Sequence, residues 1–115
     1  RETWWTDKLG VVSGRNVDKI EMSGLTPEPS EKIGVPGLRE CPVNLECRVT
    51  QTMALGSHTL FLARIENVRV SEEFIDKKGR VAIEKMGLVA FAHGFYYRLG
   101  KQIGRFGFSV KRKTK

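Results

Sequence analysis

A mainly β fold, either a small barrel or a sheet-dominated α+β domain, is what this sequence predicts, and three observations carry it. Val43, Leu45, Cys47, Val49 and Met53 alternate with Asn44, Glu46, Arg48, Thr50 and Thr52, the period of two that turns one face of a strand inward. A second run rich in β-branched and aromatic residues, 59–70, follows after Gly56-Ser57, so the two runs read as a long hairpin. The last third, LVAFAHGFYYRLGKQIGRFGFSV, sets Gly94, Gly100, Gly104 and Gly107 among aromatics. Glycines in strand-like runs mark sharp bends or a backbone that something else approaches closely.

Taken in order, the chain opens with Trp4 and Trp5 beside Leu9, Val11 and Val12, an apolar group that predicts cover by another segment or subunit. Asn16 suits the N-cap of a short helix, with Asp18 in its first turn, Val17 and Ile20 on one face and Gly24 as its stop. Residues 26–37, TPEPSEKIGVPG, hold three of the four prolines and read as an extended surface connection. In 59–70 the alternation slips between Phe61-Ala63-Ile65 and Val68-Val70, predicting a bulge or a strand bent around a barrel. Asp76-Lys77-Lys78-Gly79 is a further turn, followed by a short alternating run at 81–83.

The 115 residues, 40% hydrophobic and 29% charged, suit one compact domain over 1–115. No stretch is apolar enough to span a bilayer, and RETWWTDKLG lacks the apolar core and cleavage site of a signal peptide. The absence of a starting Met raises the expectation of a fragment. Of the twenty basic residues behind the net charge of +7, four fall in 111–115, which predicts a disordered basic tail. The rest of the excess reads as mild and scattered, as suited to phosphate-bearing small molecules as to nucleic acid. Cys41 and Cys47 have no zinc-finger spacing to His58 or His93. The extended segment between the two thiols argues against a disulfide. Reduced thiols without an export signal point to the cytoplasm.

Chemistry is sparse. There is no carboxylate pair, Ser-His-Asp pattern, Walker loop or dinucleotide fingerprint, and Gly100-Lys101-Gln102-Ile103-Gly104 fits neither phosphate-loop spacing. Any catalysis therefore has to come from a bound cofactor that the protein positions. Ser13-Gly14-Arg15 before a helix start could gather a hydroxyl, a permissive backbone, a guanidinium and helix N–H groups around an anion, with Lys19 one turn on. The same residues fit a plain capping turn. His58, after the hairpin turn, could meet a planar ligand or a nicotinamide, or stand exposed. His93, beside Gly94 and Tyr96-Tyr97, could line a pocket; the aromatics fit a core or a subunit interface equally.

Three segments in this order, SGRNVDKIEMSGL, CPVNLECRV and LGSHTLFLARI, followed by AFAHGFYYRLGKQIGRFGFSV, resemble the C-terminal part of the flavin reductase-like family, of the flavoredoxin type. The resemblance implies an FMN-binding split β-barrel lacking its usual N-terminal strands. It implies a homodimer with the isoalloxazine near the subunit interface, and electron flow from NADH or NADPH through FMN. Carried over residue by residue, Ser13, Gly14 and Arg15 would fall near the flavin, with Lys19 as a second charge. His58 would lie where flavin and nicotinamide meet, and Tyr96 and Tyr97 would be structural or pocket-lining. Leu9 stands where many members have Cys, and Ala63-Arg64 where Gly-Glu is common. No catalytic side chain and no metal ligand is expected.

Three functions follow. The first is an FMN-dependent oxidoreductase of this family, possessing turnover in its full-length form. The second is a non-catalytic flavin-binding or structural dimer module. The third is a small basic β-barrel that binds single-stranded nucleic acid, with Phe91, Phe95 and Tyr96 as stacking platforms; scattered charge argues against that one, and membrane attachment is not expected.

Overall fold

A computed structural model describes residues 2–110. The basic tail expected at 111–115 lies outside the described residues. The elements are α1 (Glu2–Val11), α2 (Lys19–Ser23), β1 (Pro27–Glu28), β2 (Gly37–Leu38), β3 (Val43–Ala54), β4 (Thr59–Val70), β5 (Val89–Ala92) and β6 (Phe95–Arg98), with 3-10 turns at Glu72–Phe74, Ile83–Lys85 and Phe108–Val110. The strands form three separate two-stranded antiparallel sheets, β1-β2, β3-β4 and β5-β6. The mainly β character is as predicted, and the barrel is not closed. The radius of gyration is 18.1 Å and the long axis 64 Å, against about 13 Å for a compact chain of this length. The excess comes from the β3–β4 ribbon, in which every residue from 48 to 65 is exposed.

That openness corrects the expected inward face of 43–53. Leu45, Val49 and Met53 each keep more than half their surface in water. The fully buried side chain on this strand is instead Glu46, on the polar side of the alternation, at 1% exposure. The alternation is real, but it turns inward only if a layer lies on it, and β3–β4 is packed at its root alone. Among the described residues the fully buried apolar residue is Ala82.

The slip in β4 is found where expected: Glu46 faces Asn67 and Cys47 faces Ile65, leaving Glu66 as the extra residue. A second irregularity, on β3, leaves Thr50 unpaired between Val49–Ala63 and Gln51–Leu62. Each bulge moves the side chains beyond it across the ribbon relative to a strict alternation. Large apolar groups consequently emerge on both faces.

Elsewhere local chemistry adjusts the boundaries. The tandem tryptophans lie in α1, their rings edge-on at 4.5 Å, with Trp4 exposed and Trp5 half-buried. The short helix is capped by Asp18 rather than Asn16. The Asp18 carboxylate accepts from the N–H groups of Ile20 (2.9 Å) and Glu21 (3.1 Å), and Asn16 is still in the preceding turn. Gly24 ends the helix as expected, at φ 65°, where a side chain would be strained. The 26–37 connection folds back on itself, with β1 meeting β2 through Pro27–Leu38 and Glu28–Gly37. The expected run at 81–83 makes one bridge, Val81 to Ile75, and then winds into a 3-10 turn. His93 (φ 49°) and Gly94 (φ 83°) form the turn of the β5–β6 hairpin, the doubly left-handed pair such tight turns require. His93 is an exposed turn residue, not a pocket wall.

Candidate functional site

The Ser13–Lys19 region is built by the end of α1 and the start of α2. Lys19 Nζ donates to the Leu9 carbonyl at 2.7 Å, placing a cation on an unpaired carbonyl at the negative end of α1. The Arg15 N–H donates to Ser13 Oγ at 3.2 Å, and the Asn16 N–H to the Ser13 carbonyl at 3.1 Å. These bonds make Ser13-Gly14-Arg15 a tight exposed turn. A side-chain carbon at Gly14 would lie 3.7 Å from Lys19 Cε, so the turn and Lys19 share one place. The Arg15 guanidinium is exposed. The helix N–H groups expected to join the anion site are not open to it: the Asp18 carboxylate holds two of them and sets its own negative charge there.

Tyr96 is joined to the same end of the molecule. Its hydroxyl donates to Asp7 Oδ1 of α1 at 3.2 Å, and its ring meets Phe91 edge-on at 5.1 Å. Partial burial and the neighbouring Asp7 carboxylate raise the phenol above its usual range. Tyr97 is the next residue on β6 and pairs with Ala90, so it faces the opposite side of the hairpin. The Tyr-Tyr pair is therefore one residue tied to α1 and one turned away. His58 stands apart from all of these. It lies in the β3–β4 turn, closed by the Leu55 N–H to the His58 carbonyl at 2.8 Å, with Ser57 Oγ and His58 Nδ1 2.8 Å apart.

A cluster that sequence reasoning missed lies at the ribbon root. Glu46 accepts the N–H groups of Glu31 (3.0 Å) and Lys32 (2.8 Å). Arg69, across the sheet, is 3.0 Å from Glu46 and 3.2 Å from Glu28, which also pairs with Arg39 at 3.3 Å. Burial pushes the Glu46 carboxyl up, but those N–H groups, Asn67 and Arg69 more than offset it and leave it below the usual range. Asn44 adds two bonds to Leu38, one accepted from its N–H at 2.9 Å and one donated to its carbonyl at 3.0 Å. The signal available in the sequence was an acid, Glu46, and a base, Arg69, diagonal to each other on two strands predicted to pair, Arg69 facing Asn44 and Glu46 facing Asn67. Cys41 lines a neighbouring hollow of about 210 Å³ with Arg39, Asn44 and Arg69. Burial and then Glu40 push its thiol up, away from thiolate reactivity.

The larger hollows lie elsewhere. One of about 290 Å³ runs along the ribbon between Gln51, Met53, Leu60 and Leu62, and one of about 440 Å³ opens under the 27–36 loop. Ser13, Gly14, Arg15, Lys19, His58, Tyr96 and Tyr97 line neither of them, nor the hollow at Cys41. The structure thus joins Ser13–Lys19 and Tyr96 through α1 and leaves His58 at the ribbon tip.

Residues 2–98 match the family model described as a flavin reductase like domain. The chain belongs to the flavin reductase-like family. Its fold is that of solved family structures: flavoredoxin of Desulfovibrio vulgaris (Miyazaki F) superposes with a TM-score of 0.79 at 32% identity, over 92% of this chain and 57% of that one. Flavoredoxin from Methanosarcina acetivorans gives 0.77 at 29% identity, over 92% and 58%. An uncharacterized protein of Archaeoglobus fulgidus is 35% identical over 95 residues, 83% of this chain and 52% of its own length. The chain spans about half the length of the relatives it matches. The described strands form an open set of hairpins rather than a closed barrel, in agreement with a partial fold.

The family implies flavin binding, and the donor set at 13–15 can be tested against it. An exposed guanidinium beside a hydroxyl that still has a proton to donate suits a phosphate. A flat ring needs an apolar wall, and Tyr96 with Phe91 offers a short one. In donor chemistry the residues fit; they do not enclose a ring among themselves.

Proposed function

We propose that this chain is the C-terminal part of a single FMN-binding flavin reductase-like domain, and that the whole protein is a cytoplasmic homodimer passing electrons from NADH or NADPH through the flavin. The observation that carries this reading is the family match over 2–98, supported by the cationic turn at 13–15. In this reading Ser13 and Arg15 hold the FMN phosphate, and Gly14 keeps the backbone open to it. Lys19 fixes the turn against α1 and adds positive potential. Tyr96, oriented by Asp7, flanks the ring; His58 and Tyr97 reach it across the subunit interface or line its edge. When bound, the flavin supplies hydride acceptance and onward electron transfer.

The experiment is retention of flavin. Full-length protein mixed with FMN and desalted is expected to stay yellow and to bleach on adding NADH or NADPH, and Arg15→Ala is expected to lose bound FMN by roughly tenfold or more, the worth of one charge-assisted phosphate contact. Bound flavin without nicotinamide-dependent bleaching would favour the non-catalytic module. Colourless full-length protein would overturn both flavin-binding readings and leave the structural dimer module.

A further inference from the structure

We draw no further inference here: the strongest candidate, the hollow of about 210 Å³ at the ribbon root lined by Arg39, Cys41, Asn44 and Arg69, carries nothing, because both guanidinium groups already pair with Glu28, and Arg69 with Glu46 as well, and nothing in the structure shows what would occupy it.

Discussion

The two ends of the β3–β4 ribbon are made of similar sequence and live in different worlds. At the root, Glu46 and Arg69 hold each other, with Glu28 on Arg69 and the N–H groups of Glu31 and Lys32 on Glu46. At the tip, every residue from 48 to 65 faces water although Val49, Met53, Leu60, Phe61, Leu62 and Ile65 are among them. The root is polar and buried, the tip apolar and bare. An isolated two-stranded ribbon is marginally stable in water, so the polar root is what anchors this one within the chain. The apolar tip is the surface that the longer domain or second subunit proposed above would cover.

Breaking the root is the strongest way to test that contrast. Replacing Arg69 by Met leaves Glu46 buried without its cation and is expected to cost roughly 3 kcal/mol in urea unfolding, the low end for a broken buried pair because Arg69 keeps about a fifth of its side chain in water. No loss of stability would mean that the N–H groups of Glu31 and Lys32 hold Glu46 unaided. Gly37→Ala comes next. A side-chain carbon there would collide with the Arg69 guanidinium and lie 2.8 Å from Asn44 Oδ1. Arg69 is ion-paired with two carboxylates, so moving its guanidinium aside strains those contacts, and an overpacking cost of about 2 kcal/mol is expected. A silent Gly37→Ala would show the root to be looser than its contacts imply.

Acid sharpens the same comparison. Glu46 is held below the ordinary glutamate value of 4.5, the N–H and Arg69 contacts outweighing its burial. Hydrogen bonds from Thr26 lower Glu40, and those from Arg80 and Lys78 lower Asp76. A depressed carboxylate contributes stability above its unfolded value and loses it as pH falls through its folded value. Melting temperature is therefore expected to hold down to about pH 4.5 and to drop below it, with Arg69→Met flattening that drop. Loss already near neutral pH would implicate other groups. The smallest effect belongs to the tip. In this chain Val49→Thr is expected to change stability by less than about 0.5 kcal/mol, and in the full-length protein by clearly more. An equal, negligible effect in both would show that the tip is bare in the whole protein too.

Much of the fold was legible. The long hairpin, its turn at Gly56-Ser57, the slip near Glu66 and the helix stop at Gly24 all follow from local rules of period, turn chemistry and capping. Asn16 was misread as the cap because both Asn and Asp suit that role, and only the path of the turn from Ser13 decides which side chain reaches the first N–H groups. The residues at 13–15 and 19 were legible as one cluster because they are near in sequence. The bond between Tyr96 and Asp7 joins positions 89 apart, and nothing local announces it.

What the sequence determined by itself is the alternation of β3, the turns and the family, since each depends on neighbours along the chain. Tertiary structure alone decided that Glu46 rather than Leu45 or Val49 is buried, that Tyr96 and Tyr97 part company, and that His58 lies at the far tip. A side chain's burial depends on which layer comes to rest against it. Period two says only that a strand has two different faces, not which of them is covered.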